Sequence, residues 1–230
     1  MSNAVRDRLR SKSDAYYEPE HLADAVLALL EYFECASNTP MPTSHFRSRT
    51  GLYAVPDHRN AISRGAVEDS ITGWIAELCS NAEGQASDFA PTCRPDIVFG
   101  FDHDAHGSDV TVVLEAKLVW HRWIDDGMQH YAGVTIDEIG RATGNYATQN
   151  IGQVVDDRDK LLSRYTDFRD RHMLLCIVFQ RPGELDDRII NAVGAGWSVR
   201  SRHIIDRCCP TGDDLGCTGM VFWPTNPRRE

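Results

Sequence analysis

From Val110 to Trp120 apolar side chains recur at every second position: Val110, Val112, Leu114, Ala116, Leu118 and Trp120. Side chains of an extended strand alternate between its two faces, so these residues define one buried face of a β-strand. The same alternation places Glu115 and Lys117 together on the opposite face, with apolar Val119 beside them. Burying an unpaired charge costs several kcal/mol. A chain that builds this strand must therefore supply Glu115 and Lys117 with charged partners, a metal or solvent.

A second alternation precedes it. Between Arg94 and Phe101, Ile97, Phe99 and Phe101 fall on one face, and Asp96, Val98 and Gly100 on the other. The connector Asp102 to Asp109, with Gly107 in it, reads as a hairpin turn. A hairpin lays Asp96 beside Glu115 and Lys117, so that two carboxylates and an ammonium meet at the end of a strand pair. Such a trio suits magnesium, a hard ion that takes one or two carboxylates together with water and phosphate oxygens. Asp96 and Glu115 are the expected ligands, with the carbonyl of Ala116 as a third. The ammonium of Lys117 is suited to orient or help deprotonate an attacking water and to offset phosphate charge. Acting as a base would require its pKa to be depressed, which burial and metal favour and two carboxylates oppose.

The remaining pattern is helical and stranded by turns. Leu22, Val26, Leu29, Leu30 and Phe33 predict a helix over Pro19 to Cys35, with Pro19 in its first turn. Val67, Ile71, Trp74, Ile75 and Leu78 predict a second over Arg64 to Ser80, with Trp74 in the core. Glu68 lies at the border of that stripe, where a carboxylate can look inward at a neighbouring sheet. Further expected elements are a helix over Tyr146 to Arg164, a strand over Met173 to Gln180 and a short helix over Glu184 to Val193. Two more strands are expected, Ser198 to Ile205 and Gly219 to Trp223. This order implies an α/β fold, a central mixed β-sheet flanked by helices.

Arg94-Pro95-Asp96-Ile97-Val98 followed by Val113-Leu114-Glu115-Ala116-Lys117 resembles the PD-(D/E)XK superfamily of restriction-like and repair nucleases. The resemblance covers about Arg64 to Phe179. It implies a restriction-endonuclease-like core over residues 64–180 within a single domain of residues 1–230. Residues 1–60 would then form an N-terminal helical extension and residues 181–230 a C-terminal one. It also implies catalytic roles for Asp96, Glu115 and Lys117, and for Glu68 as the glutamate on the helix before the sheet. The family's glutamine on the following helix corresponds to Gln149 or Gln153, with Gln153 preferred. Members carry a strand before the proline-aspartate pair, for which only Gln85 to Arg94 is available here. Residues 119–145, rich in Trp, His, Asp and Gly, are longer than the family core requires and suit a substrate-recognition insertion.

The expected activity is a magnesium-dependent DNA endonuclease of restriction or defence type, with manganese as a substitute. Because both strands of a duplex must be cut, a homodimer is the expected assembly. Two other readings are a catalytically silent nucleic-acid-binding or assembly subunit of the same fold, and an RNA-cutting effector. The net charge of −10 excludes a protein that coats nucleic acid by bulk electrostatics. Local basic clusters remain at Arg6 to Lys12, at Arg47 and Arg49, and at Arg200, Arg202 and Arg207. His121 and His130 among Trp120, Trp123 and Tyr131 suit either base stacking or packing on the sheet. Asp102, His103, Asp104 and His106 fall in the turn and read as solvated. Seven irregularly spaced cysteines do not form a disulfide framework. Cys208, Cys209 and Cys217, with His203, lack the spacing of a zinc site and read as free thiols. The chain has no phosphate-binding Gly-rich loop, dinucleotide fingerprint or nucleophile elbow. Without an apolar run long enough for a membrane span and without a signal peptide, a cytoplasmic protein is expected.

Overall fold

A computed structural model describes residues 17–35, 68–79, 82–84, 95–101, 110–119, 150–163, 172–180, 185–205 and 216–225. Helix α1 spans Pro19–Cys35 and α2 spans Glu68–Leu78. Strands β1 (Ala82–Gly84), β2 (Ile97–Phe101) and β3 (Val110–Val119) follow. Residues 150–163 are helical (α3). The chain continues with β4 (His172–Gln180), α4 (Asp186–Val193), β5 (Trp197–Ile205) and β6 (Gly216–Pro224).

The strands form one mixed sheet in the order β1-β2-β3-β4-β6-β5. β3 and β4 are parallel, whereas every other neighbouring pair is antiparallel. A parallel pair needs a crossover connection, and α3 lies within the segment that joins β3 to β4. The expected α/β class with a mixed sheet is what the chain adopts. The segments read as terminal extensions contribute directly to it: α1 packs on β5 and β6, and β6 pairs with β4.

Two cores lie on opposite faces of the sheet. On one, Val110, Val112, Leu114, Ala116 and Leu118 of β3 meet Ile97 and Phe99 of β2, Leu27, Leu30 and Phe33 of α1, and Trp74 and Ile75 of α2. On the other, Val113 and Val119 of β3 meet Leu175 and Ile177 of β4, Val154 and Leu161 of α3, and Ile189 and Val193 of α4. The face that carries Glu115 and Lys117 is thus also a packed interior, roofed by α3. That is why neither charge is left to bulk water. α1 comes close to the sheet over Gly219, where a Cβ would stand 2.8 Å from the ends of both Leu27 and Leu30.

Among the described residues the strand that pairs with the outer edge of β2 is Ala82–Gly84, and residues 85–94, the stretch available for the family's strand before Pro95, lie outside the described residues. The pairing of Glu83 with Val98 aligns this three-residue strand with the first three residues of β2. It is set by the register of β2, not by any alternation of its own. The expected turn at residues 102–109, the insertion at 120–149 with its His and Trp residues, Gln149, Cys208, Cys209, Arg207 and the clusters at residues 6–12 and 47–49 lie outside the described residues.

Candidate functional site

β2 starts at Ile97, opposite Leu114. Beyond that point β3 continues to Val119 with β4 as its one strand neighbour among the described residues. Its N–H groups facing the vacated side need acceptors, because a buried unpaired amide is costly. Side chains take the place of the missing strand. Asp96, the residue before β2, accepts a 2.7 Å hydrogen bond from the Ala116 N–H through Oδ2. Glu68, at the start of α2, accepts one of 2.9 Å from the Leu118 N–H through Oε2. In an extended strand the N–H and C=O of one residue point to the same side. The Ala116 carbonyl therefore faces the edge that Asp96 and Glu68 occupy.

Lys117 Nζ lies 3.2 Å from Oε2 and 3.5 Å from Oε1 of Glu68. Glu115, only 2% exposed, is held from the opposite direction: Lys160 Nζ of α3 lies 2.6 Å from its Oε1. Asp157, one turn earlier on α3, sits within the field of Lys117, Glu68, Asp96 and Lys160. Counted as ionised, four carboxylates (Glu68, Asp96, Glu115, Asp157) against two ammoniums (Lys117, Lys160) leave a local charge of −2.

The titration behaviour reflects this crowding. Burial raises the Asp96 carboxyl; the Ala116 N–H opposes that, Glu68 adds to it, and Lys160 and Lys117 oppose it. Burial pushes Asp157 up to about 6, with Lys117 pulling down, Glu68 and Asp96 pushing up and Lys160 pulling down. For Lys117, burial favours the neutral form, but Glu68, Asp157 and Asp96 overrule it and the pKa lies above the ordinary lysine value. The depression that a general base would need is absent from this arrangement. At neutral pH Lys117 is an ammonium.

The structure thus gathers Glu68, Asp96, Glu115, Ala116 and Lys117 at one end of the β2–β3 pair. Gln153 sits on α3 four residues before Asp157, with an exposed side chain. Sequence reasoning missed Asp157 and Lys160. A signal for Asp157 was present: Val154, Asp157 and Leu161 share the spacing of one helical stripe, so a charge interrupts an inward-facing row. Lys160 lies three residues beyond Asp157 and has no such mark.

Asp96, Glu115 and the Ala116 carbonyl are oxygen donors of the kind a hard divalent cation takes. The excess of carboxylates is what such an ion would neutralise, and the Ala116 carbonyl supplies a neutral oxygen on the same edge. Among the described residues no three acidic, histidine or cysteine side chains meet closely enough to enclose an ion. Magnesium does not require such a cage, since it retains several waters.

The other candidate groups are committed elsewhere. Arg200 pairs with Glu20 and Asp24 of α1, and Arg202 with Glu31, at 2.6 Å. These arginines fasten α1 to β5. His203 lies 2.7 Å from Asp186, and Cys217 is buried, its thiol pushed well up by burial and then by Glu34 and Cys35. Cys35, Cys79, Cys176 and Cys217 are all free thiols. Among the described residues no helix is long and apolar enough to cross a membrane. No family model, no curated protein and no solved structure matches this chain.

Proposed function

We propose that this chain is a divalent-metal-dependent DNA endonuclease with a restriction-endonuclease-like core. The observation that carries the reading is the gathering of Asp96, Glu115, Lys117 and Glu68 where β2 falls away from β3. Asp96, Glu115 and the Ala116 carbonyl are the proposed ligands of magnesium, with manganese as a substitute. When bound, the ion supplies an activated water and neutralises charge on the scissile phosphate. Lys117, charged and anchored by Glu68, orients that water and binds a phosphate oxygen. With its carboxylate neighbours favouring the ammonium, its proposed contribution is positioning and electrostatic; action as a base would require the bound ion to lower its pKa. Glu68 keeps Lys117 and the β3 edge in place, and Gln153, exposed on α3 one turn before Asp157, is the proposed contact to substrate backbone.

A specific observation also favours the second reading, a catalytically silent subunit of the same fold. Each of Glu68, Asp96 and Glu115 has a protein donor or cation within 3 Å, so the charges are accommodated without an ion.

Cleavage of supercoiled, linear and single-stranded DNA and of RNA, with magnesium, manganese or EDTA, separates these readings. The expected result is metal-dependent cutting of DNA that falls by about 10²-fold or more in Lys117→Ala and in Asp96→Ala, typical of lost transition-state stabilisation. Cutting of RNA alone would favour the effector reading. DNA cutting unchanged in both variants would overturn the assignment of the site.

A further inference from the structure

The 2.6 Å contact between Lys160 and Glu115 joins a buried carboxylate of the sheet to a partly exposed lysine of a helix. Glu115 sits on β3 between Val113 and Val119, both fully buried, and is itself almost without solvent contact. Lys160 belongs to another element. Its side chain is 22% exposed, and a flexible four-carbon stem allows its ammonium to withdraw towards water. Asp157, three residues earlier on the same helix, offers a second anionic partner within reach. The other ammonium, Lys117, is paired with Glu68 on a different element.

We propose that Lys160 is a built-in counter-ion for Glu115 that a divalent cation displaces, so that this lysine sets the metal affinity of the site. The inference rests on reading the cluster as a metal site. In the absence of metal, Lys160 keeps a buried carboxylate neutralised and its strand in place. A cation entering at Glu115 meets the ammonium at contact distance. Repulsion then weakens binding until Lys160 withdraws to Asp157 and solvent. Free metal at low concentration is thereby excluded without loss of fold.

Mn²⁺ binding, measured calorimetrically without DNA on the parent, Lys160→Gln and Lys160→Arg proteins, tests this. Lys160→Gln is expected to bind Mn²⁺ about tenfold more tightly than the parent, as removal of one adjacent positive charge requires. Lys160→Arg is expected to stay near the parent. In EDTA, Lys160→Gln should melt at a lower temperature than the parent, and saturating Mn²⁺ should close the gap. A folded Lys160→Gln protein with unchanged or weaker Mn²⁺ affinity would overturn the role of Lys160 while leaving the metal site standing. Absence of Mn²⁺ binding by both parent and variant would overturn the metal reading itself, and this inference with it. Amine labelling of the parent, followed by mass spectrometry of the Lys160 peptide, provides a check that needs no variant. Labelling should rise severalfold on Mn²⁺ saturation, and an unchanged rate would count against displacement.

Discussion

Asp157 is the residue whose ionisation most plainly conflicts with its surroundings. Its pKa is raised from 3.8 to about 6, so the folded protein holds this proton more tightly than the unfolded chain. The sign follows from linkage: below about pH 4 the group costs nothing, stability is lost as pH rises towards 6, and the loss is then constant. Asp157→Asn is therefore expected to be more stable than the parent at pH 7.5 in EDTA and equal to it at pH 4. Urea denaturation at the two pH values measures both. A pH-independent difference would mean that the variant acts through packing instead. Glu68 makes the complementary case, because its carboxylate accepts the Leu118 N–H at 2.9 Å. Glu68→Ala leaves that amide without this acceptor, at an expected cost of about 1–3 kcal/mol. Glu68→Gln keeps an oxygen in place and should lose less. Equal losses in denaturant titrations would show that charge, not the hydrogen bond, is what the position supplies. The residue-level contest between burial and carboxylates at Lys117 has a functional consequence too. Without a metal it favours the ammonium, so action as a base would require the bound ion to lower that pKa.

At the scale of elements, position is controlled by how β3 is shared. Its first half is clasped by β2 and its second half only by β4, and the change occurs between Leu114 and Glu115. Carboxylates from two separate elements finish the edge that β2 leaves open. α1 shapes the other end of the sheet. Its approach to β6 depends on Gly219, because a methyl group there would collide with both Leu27 and Leu30, which are fully buried. Gly219→Ala is expected to destabilise the protein by about 1–3 kcal/mol, the usual cost of overpacking. Thermal or chemical unfolding measures this. A neutral result would mean that the two leucines relax without moving the helix. Gly219 lies two strands from Leu118 in register, through Val178, but its Cβ would enter the core on the face opposite Glu115 and Lys117, so metal binding in a folded Gly219→Ala protein should match the parent.

For the whole molecule, the acidic balance and the commitment of Arg200 and Arg202 to α1 leave little of the described surface for unspecific attraction to phosphates. Substrate contact would then have to come from the site itself, from α3 and from basic residues outside the described segments. Under the proposed function, cutting both strands of a duplex would take two copies, each cutting one strand. Mixed preparations of parent and Lys117→Ala protein test this. Mixed dimers are expected to nick supercoiled DNA, whereas parent dimers linearise it. If linear product falls only in proportion to the parent protein present, with no nicked intermediate, each chain acts alone.

Much of this architecture was legible in the order of residues. Strict alternation over Val110 to Val119 marked β3 and both its faces, because a strand's period of two admits no other solution. The helical spacing of Leu22, Val26, Leu30 and Phe33 marked α1 to its ends, where Pro19 suits a first turn that needs no amide donor. The same periodicities singled out Glu115, Lys117 and Asp96 as charges set into apolar rows. Three things required tertiary structure. The short strand β1 has no pattern of its own, and its place depends on β2. That both faces of β3 are roofed depends on where α3 lands after a long connection. The pairing of Glu115 with Lys160 joins residues far apart in the chain, and Coulomb attraction depends on distance in space, which periodicity along a chain does not encode.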